Sequence, residues 1–249
     1  MRPYLFLDAG STLVFPDHRP IRQVLLDHGY DVSTQQIERG FAEAVHDYDR
    51  RLAHGISNWN AGSFFGWSLQ RAGVLEQDVE VMVRRLEAKD ATHSLWAFTY
   101  PWVGDALALL HASGYRMSVI SNADGRAKQA LSELGLAPYL EAVFDSHLVG
   151  FAKPDPCLFE HAMSELKLQP ADCLHVGDMY YMDVLGANRA GIAAIQVDRH
   201  GLYRGWPGVR ITTIACLREL LAHRPDLSSE EFFPLRERGS PRWLTAPPP

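Results

Sequence analysis

Four short apolar runs in this chain each lead into a polar cluster, and that repetition limits the fold more than any other feature. Tyr4-Leu5-Phe6-Leu7 runs into Asp8 and a Gly-Ser-Thr turn, Met117–Ile120 into Ser121-Asn122, and Cys173–Val176 into Gly177-Asp178. The fourth run, Ala142–Phe144, is followed by Lys153-Pro154. Mostly apolar runs of this length, bounded by turn residues, mark strands buried on both faces, as in a parallel sheet. From Pro101 onward they alternate with helical stretches around Val103–Ala112, Arg126–Leu134 and Cys157–Leu166, and with one ending at Gly191. A strand over Ala194–Val197 follows, then a last strand and helix within Arg210–Leu221. The alternation predicts an α/β fold with a doubly wound parallel sheet. Right-handed crossovers then bring every strand C-terminus, and every polar cluster, to one edge.

Residues 16–98 break the alternation. Ser33 is placed to cap a helix, Gln36 to close a capping box, and Val32 to staple against Ile37. Ile37, Phe41, Val45, Tyr48 and Leu52 recur at helical spacing. Two more helices are expected over Phe64–Arg71 and Asp78–Lys89, and nothing here reads as a strand. The expected organisation is a core of residues 1–15 and 99–222, an inserted all-helical block over 16–98, and a tail over 223–249. The block begins just after the first strand, where it can cover the sheet edge. The tail is rich in proline and reads as surface-bound or loose, with Phe232, Phe233 and Trp243 available for packing.

Composition limits the partners. A 47% hydrophobic, 22% charged chain of 249 residues suits a globular protein with a full core. A net charge of −6 without a basic stripe argues against nucleic acid, though not against a phosphorylated metabolite. Cys157, Cys173 and Cys216 lack CxxC spacing and read as reduced, packed thiols. No stretch has the apolar length of a membrane span or the pattern of a signal segment, so a soluble, cytoplasmic protein with no membrane partner is expected. Oligomeric state is not legible.

Taken singly, the clusters have plain readings: Asp178 as a helix cap, Lys153 as a loop lysine, Ser121-Asn122 as a turn pair. Gathered at one edge, they suit phosphoryl transfer. Asp8 would be the carboxylate nucleophile. Asp8 and Asp178, with the Gly10 carbonyl, offer oxygen ligands to magnesium. Ser121 and Asn122 would donate to phosphoryl oxygens, and Lys153 would offset the charge that develops. Asp183 would orient Lys153 or a metal-bound water.

The segments LFLDAGSTL, SVISNA, GFAKPDP and HVGDMYYMDVLGANRAG resemble, in order, the four motifs of the haloacid dehalogenase-like hydrolase superfamily. The resemblance covers residues 1–15 and 99–222, and the insertion resembles the helical cap of that superfamily's first cap subclass. It implies a Rossmann-like core and an aspartyl-phosphate on Asp8, with Lys153 catalytic. It also implies Thr12, Ser121 and Asn122 at the substrate phosphate, and a Mg2+ site of Asp8, Gly10, Asp178 and Asp183. The implied activity is hydrolysis of a small phosphorylated metabolite, with cap closure excluding water and selecting the substrate.

One position departs from the pattern. Phosphatases of this group usually carry a second aspartate two residues past the nucleophile, which protonates the leaving oxygen; here that residue is Gly10. Such general acid–base help is worth about 10²–10⁴-fold. The acid can come from elsewhere, with Asp17, His18, His46, Asp47 and Asp49 as candidates, or the leaving group can be good enough without one, as in an acyl phosphate. A weakly active or non-catalytic phosphate-binding relative is a further alternative. A 2-haloacid dehalogenase would use a cap arginine such as Arg39, but those enzymes replace the acidic metal motif that this chain retains. A phosphonatase would need a cap lysine, and Lys89 stands at the end of the last cap helix.

Overall fold

The structure is a computed structural model and describes residues 2–55, 61–92, 94–223 and 226–234. The chain falls into two compact units, Pro16–Phe98 on the one hand and Met1–Phe15 with the chain from Thr99 onward on the other.

The Pro16–Phe98 unit is helical: α1 (His18–Leu26), α2 (Thr34–Ala53), α3 (Ala61–Arg71) and α4 (Glu76–Thr92). The start of α2 follows its sequence signature. Ser33 Oγ accepts from Gln36 N, and Gln36 Oε1 accepts from Ser33 N at 3.0 Å. Val32, Ile37 and Phe41 are buried in one apolar cluster with Phe64, Leu69 and Met82. Helix α1 was not resolved within the block by its sequence pattern. Asp17 caps it by accepting from Arg19 N, and Pro20 sits in its first turn, where the missing N–H leaves no intrahelical bond unmade.

The second unit is a six-stranded parallel sheet, β1 (Tyr4–Leu7), β2 (Met117–Ser121), β3 (Val143–Asp145), β4 (Cys173–Gly177), β5 (Ala193–Val197) and β6 (Val209–Ile211), in the order β3-β2-β1-β4-β5-β6. Helices α5 (Pro101–Ala112), α6 (Ala127–Glu133), α7 (Ser146–Val149) and α8 (Pro156–Leu166) form its connections as far as β4. The stretch after β4, expected as one helix, is a π-helical turn over Tyr180–Leu185 continued by α9 (Gly186–Arg189), and α10 (Leu217–His223) follows β6. β1 is buried throughout, as its apolar run requires, and each such side chain contributes about 1.5–3 kcal/mol on full burial.

Strand order reverses direction at β1 and β4. In open sheets of this kind ligands bind outside the strand C-termini at that switch point. Asp8 leaves β1 there and Asp178 leaves β4, with Leu7 in register with Val176 and Asp8 N donating to Val176 O at 2.8 Å.

The chain leaves the sheet unit after Phe15 and returns at Thr99, whose hydroxyl donates to Leu13 O at 2.8 Å. The Arg199 guanidinium stacks on Tyr100 at 4.1 Å and also faces Phe15 and Trp102. Of the expected tail, Phe232 and Phe233 are buried, and Asn188 Nδ2 donates to Phe232 O at 2.9 Å. Trp243 lies outside the described residues. No helix among the described residues is long and apolar enough to cross a membrane.

Candidate active site

Asp8 is buried at the end of the central strand, and Lys153, from the loop before α8, reaches it from across the sheet edge. Lys153 Nζ donates to Asp8 Oδ1 at 2.5 Å, to Asp183 Oδ1 at 2.6 Å and to Ile120 O at 3.0 Å. Asn122 holds the lysine's backbone from both sides: Lys153 N donates to Asn122 Oδ1 at 2.7 Å and Asn122 Nδ2 donates to Lys153 O at 2.8 Å. This bracing role is one that the sequence did not give Asn122.

Asp183 comes from the π-helical turn. A side chain at Gly177 would put its Cβ 2.3 Å from Asp183 Cγ, so only glycine leaves the hollow that this carboxylate fills. Asp183 Oδ2 accepts from Met179 N at 2.9 Å, and Oδ1 also takes His175 Nε2 at 2.9 Å. Asp178 is half-buried, and Gln196 Nε2 holds its carbonyl at 2.9 Å. Single carboxylate oxygens of Asp8, Asp178 and Asp183 lie within 4.8 Å of one another.

Ser121 and Thr12 are both buried beside these groups along the chain, and the Thr12 hydroxyl makes no hydrogen bond among the described residues. Gly10 lies on a tight turn in which Ser11 takes a left-handed conformation (φ 54°) and donates from its N–H to Val14 O. Asp145, at the end of β3, accepts from Gly125 N and Ala127 N, fixing the loop that follows Ser121.

Asp8, Lys153 and Asp183 are buried together. Burial disfavours the charged form of all three central groups. For Lys153 the two carboxylates overcome burial and hold the ammonium well above its ordinary range. For Asp183, Lys153 and His175 overcome it and hold the carboxyl well below the usual range. Asp8 is the unsatisfied member: burial outweighs the pull of Lys153, and the Asp183 charge adds to it, so its carboxyl is pushed up. Three carboxylates face one ammonium, an excess of two negative charges. A hard divalent cation with oxygen ligands matches both that excess and that donor set.

Of the candidate acids in the helical unit, Asp17 and Asp47 form ion pairs, and His46 is half-buried. Asp17 accepts from Arg19, which holds its carboxyl below the usual range, and Asp47 pairs with Arg71. Asp49 is fully buried, and His18 packs against Phe41. Arg39 pairs with Glu43 at 2.8 Å one turn along its helix, and Lys89 is exposed. Sequence reading missed His175 and Gln196. The signal for both was a polar residue inside an otherwise apolar strand.

A sequence model described as haloacid dehalogenase-like hydrolase matches residues 5–191. Haloacid dehalogenase-like hydrolase domain-containing protein 3 of Homo sapiens is 29% identical over 177 residues, 68% of this chain and 70% of the human one. Glyceraldehyde 3-phosphate phosphatase of Methanopyrus kandleri is 27% identical over 175 residues, 70% of each chain. Among solved structures, the putative HAD-hydrolase YfnB of Bacillus subtilis, bound to magnesium, superposes with a TM-score of 0.63 at 17% identity, covering 89% of this chain and 99% of that one. With three quarters of its length matched and its sheet, strand order and strand-end residues as described, the chain belongs to the haloacid dehalogenase-like hydrolases.

Proposed function

We propose that this hydrolase is a magnesium-dependent phosphatase acting on a small phosphorylated metabolite through an aspartyl-phosphate on Asp8. The observation that carries this reading is the group of three carboxylates around one buried ammonium at the switch point of the sheet. The glyceraldehyde 3-phosphate phosphatase among its relatives supports the same substrate class.

Lys153 occupies Asp8 Oδ1, leaving Oδ2 to attack phosphorus. The Asp8–phosphorus bond forms as the bond to the leaving oxygen breaks, and that oxygen leaves with the bonding electron pair and takes its proton from water. Water then attacks the same phosphorus, releasing inorganic phosphate and restoring Asp8. Ser121 and Thr12 present buried hydroxyls to the phosphoryl oxygens, and Lys153 offsets the charge that develops on them. Asp8 and Asp178 would hold magnesium with the Gly10 carbonyl, while Asp183, already accepting from Lys153, His175 and Met179 N, stands behind them. When bound, the ion supplies the charge neutralisation that lets a phosphate dianion approach a carboxylate.

Retention of Asp178 and Asp183, together with the local pairing of Arg39, favours a phosphoryl group over a halide. Hydrolysis of p-nitrophenyl phosphate and acetyl phosphate, assayed with and without magnesium, tests the proposal. Turnover that needs the ion and disappears in Asp8→Asn supports it. Phosphate binding without turnover across a broad panel, or halide release from a 2-haloacid, overturns it.

A further inference from the structure

His175 is fully buried on β4 and is used by neither step of the proposed reaction, yet it sits against the reactive cluster. Strand alternation puts His175 and Gly177 on one face of β4. The hollow over Gly177 receives the Asp183 carboxylate, and the imidazole is the next side chain in that row, with Nε2 2.9 Å from Asp183 Oδ1. The Phe159 ring meets the imidazole edge-on, with centroids 5.0 Å apart and planes at 83°, which fixes the ring plane. On its other side the ring meets the backbone of Phe6, its register partner on β1. An ionised carboxylate oxygen only accepts, so the ring nitrogen that faces Asp183 is the donor. The acceptor lies at Nε2, so that nitrogen carries the proton. Taking an imidazole out of water is unfavourable, and leucine would fill the same space without that cost. Packing alone therefore does not account for histidine here.

Asp183 supplies the reason. The terminal torsion of an aspartate is broad, so its carboxylate turns easily. Met179 N holds Oδ2, while Lys153 and His175 hold Oδ1. Without His175, the Oδ1 side of the carboxylate depends on Lys153 alone, and Lys153 is itself shared with Asp8 and Ile120 O.

We propose that His175 is a positioning residue: donating from Nε2 to Asp183, it keeps that carboxylate turned toward Lys153 and so keeps the ammonium on Asp8. Its effect on turnover rests on the phosphatase reading; its effect on Lys153 does not.

The test compares wild type with His175→Leu, which keeps the apolar volume, and His175→Gln, whose side-chain amide reproduces the Nε2 donor. With p-nitrophenyl phosphate and magnesium, His175→Leu is expected to lose about 10–100-fold in kcat, with KM changed less than about twofold, the usual size of an outer-partner effect. His175→Gln is expected to recover most of the loss. Full kcat in His175→Leu, or an equal loss in both variants, overturns the proposal and leaves His175 as packing. Should wild type turn over no phosphate substrate, the phosphatase reading falls and nuclear magnetic resonance still decides this one. Long-range proton–nitrogen correlations must show the histidine signal lost in both variants to be Nε2-protonated. A slowly exchanging Lys153 ammonium signal must survive in His175→Gln and vanish in His175→Leu. An Nδ1-protonated ring, or a Lys153 signal unaffected by leucine, overturns the proposal.

Discussion

At the scale of the residue, Gly10 and Tyr4 make opposite demands on the chain. Gly10 puts no proton donor beside Asp8, so the reaction should favour substrates whose leaving oxygen needs none. Acetyl phosphate is expected to be hydrolysed well and an alkyl phosphate poorly, and Gly10→Asp should raise the alkyl rate by up to about 10²-fold, within the range of general acid help. Steady-state rates on both substrates check this; an unchanged alkyl rate would mean that another group already supplies the proton. Tyr4, at the start of β1, shares its hydroxyl with Ser118 Oγ at 2.6 Å and donates to Glu141 at 3.1 Å. Burial, helped by the Glu141 charge and opposed by Ser118, pushes its pKa from 10.0 to about 12. Because the folded value is raised, the contribution is fully present below pH 10 and lost as pH rises through about 12. Wild type should therefore lose more stability than Tyr4→Phe between those limits, read as urea midpoints at pH 9 and pH 11.5. Equal losses in the two proteins would refute the shift. The sequence order of Asp8, Lys153 and Asp183 pointed to their meeting. Only Asp8 follows a strand directly, Lys153 coming from the loop before α8 and Asp183 from the π-helical turn. His175 was not legible, because a histidine in an apolar run announces burial but not the carboxylate it meets from another element.

At the scale of the element, signals contained in a few adjacent residues were read correctly, and those that depend on a neighbour were not. The capping box of α2 is local, and Ser33 with Gln36 sufficed to place it. Ser33→Ala should lower stability by about 1 kcal/mol, seen as an earlier thermal transition of the helical unit, and no loss would show that this cap is redundant. The π-helical turn over Tyr180–Leu185 carries no comparable signature. Its extra residue per turn carries the Asp183 carboxylate onto Gly177, and only the pair explains either residue. A periodicity search registers a helix there and misses the kind. Helix α1 is the exception, lost within a block recognised only as helical, although Asp17 at its N-cap and Pro20 in its first turn are both ordinary start signals.

At the scale of the whole molecule, alternation of strands and helices from Pro101 onward was enough for the class of sheet, and the order β3-β2-β1-β4-β5-β6 adds where its edge is reactive. The excess negative charge there links ion binding to stability. A folded-state ligand at about 100 times its Kd contributes about 2.7 kcal/mol. Saturating magnesium should therefore raise the melting temperature of wild type by roughly 5–10 °C for a chain of this size. Asp178→Asn should abolish most of that rise in differential scanning calorimetry, and an equal rise in the variant would remove Asp178 from the ion's ligands.

The hydrogen bond from Thr99 to Leu13 has a wider meaning. The chain's exit from the sheet unit and its re-entry are one hydrogen bond apart, so the sheet already behaves as though the intervening 83 residues, Pro16–Phe98, were a closed loop. Lengthening or replacing such a loop adds little closure entropy, about 0.6 kcal/mol for each doubling of its length. The closure term alone therefore gives the sheet little reason to resist a longer or different insertion, while Asp8, Lys153 and Asp178 all belong to the sheet unit.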